Sequence, residues 1–325
     1  MIKLMEDQKK WLDSATEYSQ RIEKDEELKK AKKAFYSVNR KAMKEGMKVF
    51  HKEVFNYIVK MNMISFDFYI DIFYTTFRYS NNNLLNAFYM EIKKQQVNIS
   101  DADIYGIFNL YSLWNSYIGF VSEYRLLISL QYALKSVDGI EIVSNDWLDY
   151  NHKVDIQVIN HNTKKILNIQ VKISTWLSGL NGKNHTKMVE KLRRYERILK
   201  ESDVACDYDT ISAFVFSHEE NREIVKYSNL EKSLIPIDNA FWGRKVAYVD
   251  YGLNIIKPSV ATTEELIDEV KIAIGVITEE EIKERIRLKE LELQKGEELW
   301  QQECERVRRE YEERKRQEIW TNVAS

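Results

Sequence analysis

Three polar residues stand within two short apolar segments, at positions from which they could act together on a phosphate. Asp155 lies in the segment 153–160, and Gln170 and Lys172 lie in the segment 166–174. Both segments alternate polar and apolar residues, and this period of two predicts β-strands. Because residues two apart on a strand share one face, Gln170 and Lys172 are expected to point the same way.

The loop between these strands decides whether Asp155 can reach the pair. Residues 161–165, His-Asn-Thr-Lys-Lys, are polar and predict a hairpin connection. A tight hairpin brings Asp155 close to the following strand, whose apolar residues enter the core. Those apolar residues are Ile169, Val171 and Ile173.

A carboxylate, an amide and an amine in this arrangement suit metal-dependent hydrolysis of a phosphodiester bond. This reaction uses a divalent cation to polarise the phosphoryl group and activate water, and hard oxygen ligands favour Mg²⁺, with Mn²⁺ as a substitute. We predict Asp155 as a metal ligand and Gln170 as a neutral second ligand through its side-chain carbonyl. Lys172 would orient the attacking water or neutralise charge on the phosphate. Glu123, on the preceding predicted helix, would add a second carboxylate ligand.

The same residues also allow a purely structural interpretation. Asp155 could be a strand-edge acid paired with Lys153 or Lys172, and Gln170 an exposed strand residue. Glu123 could form only a surface ion pair with a basic residue on a neighbouring helical turn.

The candidate residues fall within an ordered series of predicted elements. Their order is αβββαβ followed by one more strand, which predicts an α/β (α+β) core. The predicted elements are a helix at 116–135, strands at 140–144, 153–160 and 166–174, a helix at 185–201, and strands at 210–217 and 245–251.

Helical regions are predicted on both sides of this core, because the chain has only 10 Gly and 2 Pro in 325 residues. The predicted units are a helical region at 1–98, the core at 99–258, and a charged helical arm at 259–325 that permits a coiled coil without clear heptads. Residues 6–60 predict a helical arm, and the aromatic residues of 61–77 predict a buried core rather than a ligand site. The segment Ser80-Asn81-Asn82-Asn83 predicts a turn.

These residues resemble the PD-(D/E)XK nucleases, and within them the Mrr-like restriction branch, whose second half-motif is commonly QxK. Here that half-motif is Gln170-Val171-Lys172, and the resemblance covers about residues 115–252. It implies a restriction-endonuclease-like fold with a mixed central sheet and a Mg²⁺-dependent DNA endonuclease. It also implies Asp155 as metal ligand, Gln170 at the second ligand position, Lys172 as catalytic lysine and Glu123 as helix-borne acid. The chain departs from the family pattern at Val154, where the motif has proline, and at Gln170, which replaces a carboxylate.

A basic helix after the motif is the predicted nucleic-acid-binding surface. Lysines and arginines recur along 183–200 at spacings that could hold phosphates beside the site, although a charged helix face is often only solvated surface. The predicted contact residues are Lys183, Lys187, Lys191 and Arg194.

Bulk composition sets wider expectations. The net charge of −2 gives no global basic field, so DNA binding must use a local patch. Two cysteines are too few for a disulfide framework, and the N-terminus shows no export signal, so we expect a cytoplasmic protein without membrane contact. Long amphipathic arms favour a homo-oligomer or a partner protein.

The leading hypothesis is therefore a metal-dependent DNA endonuclease in restriction or anti-phage defence. A repair or recombination nuclease is an alternative. A second alternative is a degenerate nuclease fold that serves as a DNA-binding or protein-binding scaffold.

Overall fold

A computed structural model describes residues 2–44, 51–75, 78–174, 183–218, 224–227, 232–237 and 258–323. Its N-terminal part consists of helices that pack around a shared apolar interior, and Phe35, Phe73 and Phe88 are fully buried there. The described part of the arm predicted at 6–60 is helical, as expected, but it packs into this interior instead of standing apart from it. The helices are α1 (Ile2–Lys24), α2 (Glu26–Lys44), α3 (His51–Lys60), α4 (Phe66–Thr75), α5 (Arg78–Lys94) and α6 (Asp101–Phe108).

The aromatic segment behaves as predicted, whereas the asparagine-rich turn does not. Phe66, Tyr69 and Phe73 are buried, so these rings are core residues. The predicted turn at Ser80–Asn83 is wrong, because α5 runs through it. These four residues occupy the first turns of α5, where polar residues are tolerated, and the apolar residues that follow keep helical spacing and are buried.

One long helical segment links the N-terminal helices to the sheet. Ser100 caps its start by accepting a hydrogen bond from the Asp103 N–H. A π-helical stretch, Asn109–Trp114, joins α6 to α7 (Asn115–Leu134). The first half of α7 packs into the helical core, and the second half packs on the sheet.

The second half of the chain forms a mixed sheet, so the fold is mixed α/β. Strand β2 pairs antiparallel with β1 and β3, and β3 pairs in parallel with β4. In the described residues the sheet has seven strands in the order β1-β2-β3-β4-β5-β7, with β6 also paired to β4. The strands are β1 (Ile140–Val143), β2 (Ile156–Asn160), β3 (Lys165–Ser174), β4 (Asp209–His218), β5 (Ile224–Tyr227), β6 (Leu234–Pro236) and β7 (Pro258–Ala261).

The predicted order αβββαβ is present, with additions. A short helix, α8 (Asp146–His152), follows β1, and α9 (Lys183–Lys200) connects β3 to β4. Neither α8 nor strands β5 to β7 were predicted, and the predicted strand at 245–251 lies outside the described residues. The crossover through α9 lets β4 lie parallel to β3, as a helical connection allows.

Two helical layers cover the sheet. On one face, α7 and α10 (Thr263–Ala273) pack on the apolar residues of β2, β3 and β4, and on the other face α8 and α9 pack on Phe214 and Phe216. The region predicted as a C-terminal arm, 259–325, thus begins with most of β7 and with α10, which belong to the sheet and its core. Gly275, at a φ of 72°, ends this helix in the left-handed conformation.

The last helix, α11 (Glu279–Val323), extends about 67 Å at 1.5 Å per residue. Almost all its side chains are exposed from Glu279 to Tyr311. Within the described part of the chain, no helix has both the length and the apolar character that a membrane span requires.

Candidate functional site

Asp155 lies immediately before β2, in a backbone fixed from both sides. Lys153 ends α8 with a φ of 62°, and the Asp155 N–H donates to the Ile169 carbonyl at 2.9 Å. The Ser144 hydroxyl donates to the Asp155 carbonyl at 2.8 Å. These bonds orient Asp155 towards β3.

Asp155 and Gln170 are in direct contact. Asp155 Oδ2 accepts hydrogen bonds from the Val171 N–H, at 2.6 Å, and from Gln170 Nε2. Both side chains are buried, so Gln170 is not the exposed strand residue of the structural interpretation. Gln170 Oε1 is buried without a hydrogen-bond partner among the described residues.

Lys172 lies two residues beyond Gln170 on β3 and is half-buried. Burial raises the pKa of both Asp155 and Glu123, and the charge of Lys172 opposes this rise in both, so its ammonium group lies near both carboxylates. The neighbouring Ile169 and Val171 enter the sheet core, whereas Ile173 is partly buried and packs against the helical core. The expected alternation along this strand is therefore present.

Glu123 lies on α7 between the half that packs on the helices and the half that packs on the sheet. Glu123 Oε2 accepts a hydrogen bond from Lys52 Nζ at 2.8 Å. Its partner is therefore on α3, not on a neighbouring turn as the structural interpretation supposed. Burial raises the pKa of Glu123, which Lys52 partly offsets.

The carboxylates repel one another in a poorly hydrated environment. Burial raises the pKa of Asp155 well above its ordinary range, and the charge of Glu123 raises it further. Asp149 on α8 acts in the same direction on both groups. Buried carboxylates with raised pKa values that lie near one another are typical of functional sites.

The sequence analysis did not identify two residues of this site, Asp149 and Lys52. Asp149 Oδ2 lies 4.0 Å from Lys52 Nζ, and Asp149 Oδ1 lies 3.6 Å from Lys153 Nζ. The helix that carries Asp149 could have been found, because Asn145 is a good N-cap and accepts a hydrogen bond from the Leu148 N–H. Lys52 carries no local signal, since it is 71 residues from Glu123.

The predicted nucleic-acid contacts lie on α9, which packs on the sheet through Leu192 and Tyr195. Lys191 and Arg194 are exposed. The backbones of Lys183 and Lys187 belong to the first turns of α9, and their side chains lie outside the described residues.

Among the described residues, no three His, Cys, Asp or Glu side chains converge as a group that could hold a metal ion. The second predicted ligand is an amide, and Glu123 is engaged by Lys52. The donor set nevertheless suits a hard cation, because a buried carboxylate lies beside an amide oxygen that lacks a partner.

No family model, curated protein or solved structure matches this chain. The resemblance to the PD-(D/E)XK nucleases therefore stays a prediction from the motif residues and the order of the elements.

Proposed function

We propose that this protein is a divalent-metal-dependent DNA endonuclease with a PD-(D/E)XK-like core, most similar to the Mrr-like restriction branch. The observation that carries the proposal is the contact between Asp155 and Gln170, with Lys172 and the helix-borne Glu123 close enough to shift the pKa of Asp155. A strand-edge ion pair would not require a buried amide or a carboxylate from a helix.

The residues fit Mg²⁺ or Mn²⁺. Asp155, Glu123 and Gln170 Oε1 would hold the cation, and Gln170 Oε1 would thereby gain the partner that it lacks. The bound cation would supply Lewis-acid polarisation of the phosphoryl group and a lower pKa for the attacking water.

Lys172 and Lys52 would have different roles at this site. Lys172 donates hydrogen bonds to a phosphate oxygen or to the attacking water, and its charge stabilises the negative charge that develops on the phosphate. Lys52 opposes the rise that burial causes in the pKa of Glu123, and it orients this carboxylate through the 2.8 Å hydrogen bond. The exposed Lys191 and Arg194 contact the DNA backbone.

The biological role that follows from the family resemblance is restriction or defence against phage DNA, with repair or recombination as the alternative. The exposed helix α11 offers a surface for assembly, because Leu288, Leu291 and Trp300 are all solvent-exposed. A homo-oligomer or a partner protein would cover that surface.

The test is cleavage of supercoiled plasmid and linear duplex by the purified full-length protein, with Mg²⁺, Mn²⁺ or EDTA. Asp155→Ala and Lys172→Ala should each reduce metal-dependent nicking by at least about a hundredfold. Asp209→Ala and Lys165→Ala are matched controls on strands of the same sheet and should cleave normally. Equal cutting by all five proteins would refute the assignment.

A second candidate function is a nuclease fold that has lost catalysis and serves as a scaffold. Two contacts favour it: Gln170 Nε2 already donates a hydrogen bond to one oxygen of Asp155, and Lys52 already engages Glu123. This function predicts that Asp155→Ala and Lys172→Ala retain biological activity, whereas substitutions at Leu288, Leu291 and Trp300 abolish it.

A further inference from the structure

Helix α8 presents two large aromatic side chains to solvent beside the candidate active site. Trp147 is 58% exposed and Tyr150 is 79% exposed. They lie three residues apart on one helix, so they share a side of it. Two large rings on the same exposed side of a short helix indicate a surface that contacts another molecule.

Trp147 is held in position even though most of its surface remains in solvent. Its ring meets His152 edge to face, with centroids 4.6 Å apart, and His152 stacks on Tyr195 at 4.2 Å. Tyr195 is buried, and its hydroxyl accepts a hydrogen bond from Gln157 Nε2 at 3.2 Å. The aromatic surface is therefore anchored through α9 to the sheet.

Positive charge lies next to these rings. Lys191 and Arg194, one turn apart on α9, are exposed. Arg194 precedes Tyr195 on α9 and Lys191 lies one turn before it, and Tyr195 contacts the rings of both His152 and Trp147, at 4.2 and 6.4 Å. In keeping with this, burial lowers the pKa of His152 and the charges of Arg194 and Lys191 lower it further. Flat hydrophobic rings and cations thus occur side by side.

We propose that this aromatic-basic surface, formed by Trp147, Tyr150, Lys191 and Arg194, binds unpaired nucleotides of DNA. Exposed rings stack on bases of any sequence, and the adjacent cations contact phosphates. Bases within a duplex are already stacked on each other and do not present a face to a protein ring. The surface therefore distinguishes single-stranded from double-stranded DNA.

The location of the surface connects it to the cleavage chemistry, and in this respect the inference rests on the proposed function. Asp149 lies between Trp147 and Tyr150 in the sequence, and its carboxylate is 4.0 Å from Lys52 Nζ, which binds Glu123. The same short helix therefore carries the two exposed rings and one carboxylate of the site. The expected substrate is DNA with unpaired nucleotides beside the cleaved bond.

The experiment measures binding without cleavage. Fluorescence anisotropy in EDTA compares a labelled oligo-dT of about 12 nucleotides with a duplex of equal length, using the full-length protein. Trp147→Ala and Tyr150→Ala should each weaken oligo-dT binding about tenfold while duplex binding changes less than twofold. Trp147→Phe keeps a stacking ring and should bind nearly as the wild type does.

Controls separate stacking from loss of folding. Tyr132→Ala, at an exposed ring on α7, should leave affinity unchanged, and thermal unfolding should show that Trp147→Ala is folded. Unchanged oligo-dT affinity in Trp147→Ala and Tyr150→Ala, equal losses for duplex, or no binding by the wild type would each overturn the proposal. Binding is measured in EDTA and is therefore independent of cleavage. A protein that binds oligo-dT as expected, but does not cut DNA in the separate assay with Mg²⁺ or Mn²⁺, would refute only the nuclease function.

Discussion

The helical region and the sheet region have opposite kinds of interior. The helical core is built from aromatic rings, with Phe35 packed edge to face on Phe88 at 5.4 Å and on Phe108 at 6.1 Å. The sheet buries Asp155, Gln157, Asn168 and Gln170 among its apolar residues.

The buried polar residues of the sheet are linked by hydrogen bonds. Gln157 Nε2 donates to Asn168 Oδ1 at 2.8 Å, and Asn168 Nδ2 lies 3.4 Å from Ser212 Oγ. Buried polar groups are costly unless they are paired, and a paired set on three strands favours one specific packing of the sheet. The helices contribute the core's bulk and, through Lys52, one charge to the site.

The largest expected effect on stability is in the helical core. Phe35→Ala removes a fully buried ring and should lower the free energy of unfolding by about 3–5 kcal/mol. Tyr36→Ala, at the adjacent and partly exposed position, should cost less than about 1 kcal/mol. Urea unfolding of both variants measures the difference, and similar losses would contradict a closely packed helical interior.

In the sheet region, Asp155→Asn should raise the stability of the protein, whereas Phe35→Ala lowers it, and it should abolish function. Asn retains an acceptor for the Val171 N–H but removes the buried charge. The melting temperature near neutral pH should therefore rise by a few degrees, while metal-dependent cleavage is lost. Asp209→Asn is the matched control, and a lower melting temperature for Asp155→Asn would show that the carboxylate is structural.

The ion pair between Lys52 and Glu123, which joins the helical region to the sheet region, should contribute less to the free energy of unfolding. Breaking the half-buried contact with Lys52→Met should destabilise the protein by about 1–2 kcal/mol, whereas Lys60→Met, at an exposed lysine on the same helix, should have little effect. A double-mutant cycle with Glu123→Gln isolates the interaction. Additive effects would mean that Lys52 does not support Glu123.

Acid should affect the two interiors with opposite sign. Burial lowers the pKa of His51 to about 4 from 6.5, so its contribution to stability is lost as the pH falls through that window. The pKa of Asp155 is raised, so its contribution is present at low pH and is lost as the pH rises through the folded pKa. Thermal melts between about pH 4 and pH 6.5 test both effects. His51→Gln should remove the loss of stability as the pH falls, and Asp155→Asn should remove the loss of stability as the pH rises. Parallel profiles for both variants would contradict this assignment.

Local patterns in the sequence predicted the parts of the fold that repeat over short distances. The alternation at Ile169, Gln170 and Val171 predicted β3, and helical spacing predicted α7 and α9 within two residues. Strands β5 to β7 have only three or four residues each, which is too short for a periodic signal.

The contacts between distant segments could not be predicted in this way. The meeting of Asp155 and Gln170 followed from a hairpin of known length, whereas the Lys52–Glu123 pair joins residues 71 apart. Both Lys52 and Lys60 are lysines on α3, and nothing in the local sequence shows which of them is close to Glu123. Only the packing of α3 on α7 gives Lys52 its position.

The measurement that tests the central claim most directly is plasmid cleavage with Mg²⁺ by the wild type, Lys172→Ala and Gln170→Glu. If the site is a nuclease site, the wild type should cut the plasmid and Lys172→Ala should not. Gln170→Glu should retain Mg²⁺-dependent cutting, because a carboxylate at the second position still binds the cation. No Mg²⁺-dependent cutting by the wild type, or undiminished cutting by Lys172→Ala, would contradict the account.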